Sequence, residues 1–169
     1  MYIVVRENTV YNTSVAETAS ASLERGSEHI MFTIRYVAEN DMPFWYTLDT
    51  HLSKDEFALK IRDKRGYVIG DGDTPIGILR YNLFLDCIPF LTLIHILEGY
   101  HGKGFGRQTV IHWENEMREL GHTMVMTSTQ VDEQAQHFYR KLGYLDRGAI
   151  FFDNTPFTQA QEMVMLKCV

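Results

Sequence analysis

The sequence predicts a single α/β domain with a mixed central sheet flanked by about four helices. Its 169 residues fit one domain and leave little room for a second. Hydrophobic residues make up 45% of the chain and charged residues 22%, which is ordinary for a soluble globular protein. Apolar segments of strand length alternate with amphipathic segments of helical period along the chain, and this alternation is the pattern of an α/β fold.

The domain proper is predicted to span residues 31–169, since a strand opens at Phe32 and no Pro/Gly-rich linker follows. Residues 1–30 form an N-terminal extension with a β-prone run at 2–5 and a helical pattern at 14–25. We expect this extension to cover a sheet edge or to contact the second subunit of a homodimer.

Local patterns predict the remaining elements. We expect strands at 67–70, 76–81, 90–97, 123–128, 144–152 and 162–167, and helices at 43–48, 53–63, 107–120 and 135–142. Ser53 followed by Glu56 has the capping-box spacing of a helix start, and Gly121 and Gly143 are natural residues to follow a helix end. The continuous apolar run at 90–97 is typical of a central strand.

Composition limits the classes of partner. Sixteen Lys and Arg against 22 Asp and Glu give a net charge of −6, which argues against a dedicated binder of nucleic acid or of an anionic membrane. No apolar run approaches the ~18 residues needed to cross a bilayer, and charge at Arg6 comes too early for a secretory signal. Cys87 and Cys168 have no disulfide-framework or metal-ligand spacing. We therefore expect a cytoplasmic protein that works without nucleic acid, membrane or metal.

The most informative segment is a glycine-rich loop, Glu98–Arg107, between the predicted central strand and a helix. Its glycines stand at positions 99, 102, 104 and 106. Glycines there let the backbone bend so that successive N–H groups converge, and the following helix adds the positive end of its dipole. Lys103 and Arg107 add two positive charges. This combination suits a phosphate or a pyrophosphate.

Two common phosphate motifs do not fit the loop. A P-loop requires Lys and Ser or Thr after its last glycine, but Phe105 and Gly106 follow Gly104. A dinucleotide fingerprint requires G-x-G-x-x-G, whereas the segment from Gly102 reads G-x-G-x-G. A nucleoside triphosphate is thus disfavoured, and a glycine-rich turn without a ligand stays open as an alternative.

Two segments resemble motifs of a known family. His101–Gly106, His-Gly-Lys-Gly-Phe-Gly, resembles the Q/R-x-x-G-x-G/A acyl-CoA-binding motif of GNAT (GCN-related) N-acetyltransferases. Asp132–Tyr144, Asp-Glu-Gln-Ala-Gln-His-Phe-Tyr-Arg-Lys-Leu-Gly-Tyr, is similar to the N-x-x-A-x-x-F-Y-x-x-x-G-F helix of that family. The motifs stand in the expected order, separated by a helix and a strand. The resemblance extends from about Met31 to the C-terminus.

This resemblance implies a GNAT-like fold whose sheet is splayed between its fourth and fifth strands. It also implies an N-acetyltransferase that transfers the acetyl group of acetyl-CoA to a primary amine of a small molecule or peptide, by direct attack in a ternary complex and without a metal. The alternative is a non-catalytic acyl-CoA-binding regulatory module. Tyr139 favours the enzyme, because a module that only bound CoA would need no proton donor.

The resemblance also implies roles for individual residues. The implied cofactor-binding residues are Ile94, Ile96, Leu97, His101, Gly102, Lys103, Gly104, Phe105, Gly106, Arg107, Asp132 and Phe138. The first three offer main-chain groups to the pantetheine arm, and an N–H near Ile96 or Leu97 meets the oxyanion. Amides of 102–107 hold the pyrophosphate. Asp132 replaces the usual Asn and, when ionised, can only accept a hydrogen bond. Tyr139 is the general acid that protonates the leaving thiolate.

The general base stays open between ordered water, His95 and Glu98. Strict alternation along 90–97 predicts one face with Phe90, Thr92, Ile94 and Ile96, and another with Leu91, Leu93, His95 and Leu97. If the slot faces the even-numbered set, no basic side chain projects into it and water is favoured. No residue in the sequence identifies the acceptor. The run Phe44–Tyr46 is a candidate for the acceptor pocket, and the net negative charge of the chain suits a cationic amine.

Overall fold

The structure, a computed structural model, describes residues 31–156 and 158–169. Within these ranges the strands are β1 (Phe32–Tyr36), β2 (Gly66–Asp71), β3 (Thr74–Phe84), β4 (Ile88–Ile96), β5 (Met124–Gln130), β6 (Leu145–Ile150) and β7 (Glu162–Cys168). The α-helices are α1 (Met42–Leu48), α2 (Lys54–Arg62), α3 (Phe105–Glu119) and α4 (Ala135–Lys141). The predicted single α/β domain is confirmed. The strand at 2–5, the helix at 14–25 and the dimer contact of the N-terminal extension lie outside the described residues.

Helix boundaries follow local sequence signals. The Ser53 hydroxyl accepts a hydrogen bond from the Glu56 N–H at 3.2 Å, so the predicted N-cap of α2 is confirmed. Pro43 lies in the first turn of α1, where no intrahelical partner requires its missing N–H. Helices α3 and α4 end shortly before Gly121 and Gly143, as predicted. No helix in the described ranges is long and apolar enough to cross a bilayer.

The seven strands form one mixed sheet in the order β1-β2-β3-β4-β5-β7-β6. All neighbouring strands are antiparallel except β4 and β5, which are parallel. Strands β3 and β4 extend beyond the predicted ranges because a tight turn joins them, with Leu85 and Asp86 in the left-handed region (φ 50° and 62°). The last strand, β7, inserts between β5 and β6, so β6 lies at the edge of the sheet.

The sheet opens between its fourth and fifth strands. β4 and β5 are in register at two positions, where Phe90 lies opposite Met126 and Leu91 opposite Thr127. The Thr127 hydroxyl donates to the Leu91 carbonyl at 3.2 Å across this last pair. Beyond it, residues 92–96 of β4 have no partner on β5 within the described chain. We call the gap between these residues and the end of β5 the slot.

Two hydrophobic cores cover the two faces of the sheet. Helices α3 and α4 bury one face, and the largest side chains of that core are Tyr67, Phe105, Trp113, Tyr139 and Tyr144. Helices α1 and α2 bury the other face, with Val37, Trp45, Phe57, Val68, Ile78 and Leu93. The slot therefore lies between two helical layers.

A β-bulge in β4 changes which side chains face each layer. The register shifts so that Arg80 lies opposite Leu93 and Tyr81 opposite Leu91, which leaves Thr92 as the extra residue. Leu91 consequently packs in the α3/α4 core together with the even-numbered isoleucines of β4, while Leu93 packs in the α1/α2 core. The predicted strict alternation is therefore wrong for Phe90, Leu91 and Thr92, because the bulge inserts one residue into the period of two.

Gly77 of β3 packs closely against β4 behind the slot, so a substitution at this position tests how tightly the two strands fit together. A Cβ at this position would lie 2.6 Å from the His95 carbonyl oxygen and 2.6 Å from Ile96 Cδ1. We expect Gly77→Ala to lower the free energy of unfolding by about 1–3 kcal/mol, measured by urea denaturation. The matched control is Gly148→Ala on β6, since no atom lies within 4 Å of its added Cβ. Equal losses in the two variants would contradict the packing argument.

Candidate functional site

The loop after β4 turns sharply into α3. A single 3-10 turn covers Glu98–Tyr100, and Gly102 and Gly104 then adopt left-handed backbone conformations with φ of 73° and 88°. Gly104 is also the N-cap of α3. Both positions require glycine because side chains with a Cβ are strained there. A Cβ on Gly102 would meet no atom within 4 Å, so the loop is open to solvent at that point.

In the second half of the glycine-rich loop, the amides donate to no backbone carbonyl of the described residues. The His101 N–H donates to the Glu98 carbonyl and the Gln108 N–H to the Gly104 carbonyl, each at 3.0 Å. Between them, no amide of residues 102–107 donates to a backbone carbonyl of the described chain. The last three of these amides belong to the first turn of α3, whose N–H groups lack intrahelical partners. The loop thus presents a row of donors at the positive end of a helix dipole.

Side chains hold this row in place and add charge. Phe105 is 1% exposed, and its ring lies edge-on against Tyr100 with centroids 5.7 Å apart. Lys103 Nζ lies 5.3 Å from the Tyr100 ring centroid, and Arg107 is exposed on the first turn of α3. The anchored Phe105 fixes the start of the helix and with it the direction of the first-turn amides.

Helix α4 approaches the same loop from the other side of the slot. An added Cβ on Gly106 would lie 3.7 Å from Phe138 Cζ, so α3 and α4 come close at this point. Asp132 is exposed between the end of β5 and α4. The second predicted motif therefore lies beside the first in space, as well as following it in sequence.

The main chain of β4 lines the slot at its alternate residues. Leu97 donates its N–H to the Ile76 carbonyl at 2.8 Å, and its carbonyl accepts from the Tyr100 N–H at 2.9 Å. Residues of an antiparallel pair alternate between facing their partner and facing away from it. The peptide groups of Ile94 and Ile96 therefore point away from β3 and into the slot. Leu97, included in the sequence prediction, has no main-chain group left for that purpose.

The His101 side chain closes over the end of β4. Its Nε2 lies 2.7 Å from the Ile96 carbonyl oxygen, which fits donation from a protonated Nε2. The family pattern placed this residue at the start of the phosphate motif. Its ring instead contacts the strand, and the phosphate end of the loop is left to the backbone amides that follow.

Tyr139 lies at the closed end of the slot. It is fully buried in the α3/α4 core, with its ring 5.3 Å from that of Tyr144. Its hydroxyl has no hydrogen-bond partner in the described part of the chain. Burial raises the pKa of this phenol, and the neighbouring Thr127 hydroxyl lowers it by a smaller amount. Since Thr127 makes the last β4–β5 contact, the phenol stands where the two strands begin to part.

The predicted base candidates lie away from this phenol. His95 is half-buried on the α1/α2 side, with Nδ1 3.0 Å from the Leu48 carbonyl oxygen. Glu98 is exposed in the 3-10 turn. Of the aromatic run, Trp45 is fully buried against Phe57 and so belongs to the α1/α2 core.

Two glutamates near the end of β5 were missed by the sequence prediction. Glu133 precedes α4 and accepts a hydrogen bond from the Thr129 hydroxyl at 3.0 Å. Glu162 begins β7 and is 2% exposed. Burial raises the pKa of both carboxyl groups. The only signal in the sequence was that Glu162 is an acidic residue at the start of an apolar strand. The pairing of β7 with β5, which brings Glu162 beside β5, cannot be read from that signal.

Sequence comparison points to one family. Residues 31–144 match the sequence model of the acetyltransferase (GNAT) family. None of the curated proteins compared with the chain by sequence matches it. The matched range includes the glycine-rich loop, β5 and α4.

Solved structures share the fold. The Escherichia coli ribosomal-protein-S18-alanine N-acetyltransferase is 18% identical, with a TM-score of 0.68 over 82% of this chain and 94% of that chain. Arabidopsis thaliana Naa50, in complex with the bisubstrate analogue CoA-Ac-MVNAL, is 16% identical, with a TM-score of 0.67 over 80% of this chain and 97% of that chain. The Vibrio cholerae spermidine/spermine N-acetyltransferase SpeG is 18% identical, with a TM-score of 0.66 over 81% of this chain and 92% of that chain.

Proposed function

Because the chain belongs to the acetyltransferase (GNAT) family, we propose that it transfers an acetyl group from acetyl-CoA to a primary amine of a small molecule or peptide. The transfer is direct, within a ternary complex. The observation that carries this proposal is the slot. At one end the amides of 102–107 donate to no backbone carbonyl of the described residues, and at the other the Tyr139 hydroxyl has no hydrogen-bond partner among them. A cleft that binds and uses an acyl-CoA needs N–H groups that bind the negatively charged diphosphate and a group that donates a proton to the departing thiolate.

The glycine-rich loop binds the diphosphate of the coenzyme. Its row of amides and the α3 dipole supply donors, and Lys103 and Arg107 supply charge. Ile94 offers its N–H and carbonyl to the amide-containing pantetheine arm, which lies in the slot like an added strand, and Ile96 offers its N–H to the same slot, since its carbonyl accepts from His101. Phe138 forms part of the wall on the α4 side. The fold supports binding of the coenzyme, because the structurally similar Arabidopsis protein was solved in complex with a CoA-linked analogue.

The residues around the slot then assist acyl transfer. The coenzyme supplies the thioester carbonyl that the amine attacks. The Ile96 N–H, which points into the slot, stabilises the negative charge that develops on the carbonyl oxygen. Tyr139 donates its phenolic proton to the departing sulfur. Leu97 is not part of this proposal, because its N–H is bonded to Ile76.

We further propose a cytoplasmic protein. Cys87 and Cys168 are both free and exposed, which suits a reducing compartment. Net acidity favours approach of a cationic amine through long-range attraction. Homodimer formation through the N-terminal extension stays a prediction.

Ligand binding and turnover test the proposal in sequence. Acetyl-CoA at 100 times its dissociation constant should stabilise the folded chain by about 2.7 kcal/mol and raise Tm by roughly 5–10 °C. Magnesium-ATP should leave Tm unchanged. CoA release should then appear with at least one member of a primary-amine panel. Stabilisation without CoA release from any amine would favour the non-catalytic acyl-CoA-binding module, and no stabilisation would contradict both.

A further inference from the structure

The end of β5 carries polar groups on the face away from Tyr139. Met163 and Met165 of β7 pack in the α3/α4 core, so the alternate residue Glu162 points to the opposite face. Directly opposite residues of an antiparallel pair share a face, and Gln130 is opposite Glu162. Ser128 lies two residues before Gln130 and points the same way. Glu162 and Ser128 are therefore diagonal neighbours on one surface.

This surface adjoins the slot. Thr127 is the last residue of β5 that pairs with β4, so Ser128 is the first residue at the opening. Glu162 lies one diagonal step away, which is about 7–8 Å between Cα atoms and within reach of a glutamate side chain. The carboxylate thus lies across β5 from the gap, on the face opposite the phenol of Tyr139.

The polar groups on this face of the sheet are buried and do not form all the hydrogen bonds that they could form. Ser128 is 0% exposed, and its hydroxyl has no hydrogen-bond partner in the described ranges. Glu162 is 2% exposed and accepts one hydrogen bond, from Gln159 Nε2 at 2.9 Å. No Lys, Arg or His side chain among the described residues forms an ion pair with it. A buried carboxylate that accepts only one hydrogen bond from the described residues, beside a buried hydroxyl with no partner among them, favours a cationic, hydrogen-bonding ligand.

Electrostatics support this interpretation. Burial raises the pKa of Glu162 most, the adjacent Ser128 hydroxyl lowers it, and the Glu133 carboxylate raises it. Among the described residues, the groups that act on this carboxyl are Ser128 on β5, Gln159 before β7 and Glu133 before α4. A carboxylate with a raised pKa is a stronger base than an ordinary glutamate, and it can take a proton from an ammonium group more readily.

We propose that Glu162, assisted by Ser128, binds the ammonium group of the acceptor and removes its proton. The acceptor is therefore a cationic primary amine that enters from the α1/α2 face. This inference rests on the proposed acetyltransferase function and deepens it. It also assigns the base that the sequence left open between water, His95 and Glu98.

The proton balance is complete without another reactant. The ammonium gives one proton to Glu162, and the freed nitrogen lone pair forms the C–N bond to the thioester carbonyl. The C–S bond breaks, and the sulfur takes the proton of the Tyr139 hydroxyl. The second proton of the attacking nitrogen returns to Tyr139 through solvent, and Glu162 releases its proton to water. The net products are the acetamide, CoA and one proton.

The test compares Glu162→Gln with Glu119→Gln, which neutralises an exposed glutamate of α3. CoA release is followed from pH 6 to 10 with spermidine, phenethylamine and an alanine-led tetrapeptide as probes. Glu162→Gln should lower kcat/KM at neutral pH about 100-fold with acetyl-CoA affinity unchanged. Its residual rate should rise with pH as the free amine fraction rises, because the amine must then arrive deprotonated. Glu119→Gln should match the wild type.

Other outcomes separate the two proposals. A kcat/KM for Glu162→Gln within threefold of wild type overturns the role of Glu162 while leaving acetyl transfer intact. If the residual rate of His95→Gln, rather than that of Glu162→Gln, rises with pH in this way, the base lies on β4 and the proposed role of Glu162 is overturned. Loss of acetyl-CoA affinity in both Glu162→Gln and Glu162→Asp would mean a structural role. If the wild type binds acetyl-CoA but acetylates none of the probes, the proposed function fails and this inference falls with it.

Discussion

Replacing Tyr139 with phenylalanine should lower kcat about 100-fold and leave the affinity for acetyl-CoA unchanged. The phenol is the proton donor at the closed end of the slot, whereas the coenzyme is held by amides of 102–107 and by peptide groups of β4. Removal of one oxygen atom therefore takes away proton transfer without touching those contacts. Steady-state CoA release gives kcat, and calorimetric titration gives the affinity for acetyl-CoA.

The expected size of this effect follows from the phenol's environment. Burial raises the pKa of Tyr139, so the hydroxyl stays protonated throughout the neutral range. Each unit by which its pKa exceeds that of the thiol adds about 1.4 kcal/mol to complete proton transfer. Proton transfer from Tyr139 to the thiolate is thus energetically unfavourable, which places its expected contribution to the rate at the lower end of the range for general acid catalysis. No basic limb from Tyr139 should appear in the pH profile below pH 9.

Stability distinguishes this role from a structural one. The Tyr139 hydroxyl is buried and unpartnered in the described chain, and an unsatisfied buried polar group costs about 1–3 kcal/mol. Tyr139→Phe should therefore unfold at the wild-type Tm or above it. Tyr144→Phe is the matched control, since Tyr144 is a buried tyrosine of the same cluster whose hydroxyl also has no hydrogen-bond partner among the described residues. Equal turnover losses in both variants would contradict a specific role for Tyr139.

Local patterns were sufficient for most elements of the fold. Ser53 caps α2 as predicted, because an N-cap depends on residues within one turn. The i, i+3, i+4 spacing placed Tyr139 on the buried face of α4, which helical geometry alone fixes. The glycine-rich loop was placed correctly between strand and helix, since its glycines are required by the turn itself.

Long-range pairing could not be predicted in the same way. The bulge at Thr92 depends on how β4 meets β3, and it overturned the assignment of Leu91 to one face. The engagement of the Leu97 N–H depends on the same pairing. Glu162 became a site candidate only because β7 inserts beside β5, an arrangement that no local signal contains.

Arg80→Ala should lower the free energy of unfolding by about 3–5 kcal/mol, the largest loss of stability that we expect from one charged side chain. Arg80 Nε donates to Asp49 Oδ2 at 2.7 Å, and Asp49 is 2% exposed. Arg80 Nη1 also donates to the Thr92 hydroxyl at 2.9 Å, so this pair joins the end of α1 to the bulge of β4. Truncation of Arg80 leaves the Asp49 carboxylate buried without its cation.

Urea denaturation of three variants separates this pair from surface charge effects. Arg62→Ala breaks an exposed pair with Asp63 and should change stability by less than about 1 kcal/mol. The double variant Asp49→Asn/Arg80→Met removes both charges and should regain at least half of the loss, because no uncompensated charge remains. Since the pair braces the α1/α2 face, Arg80→Ala should also raise KM for the amine while the acetyl-CoA affinity stays unchanged. A double variant no more stable than Arg80→Ala would show that the cost comes from lost packing of the arginine rather than from a stranded carboxylate.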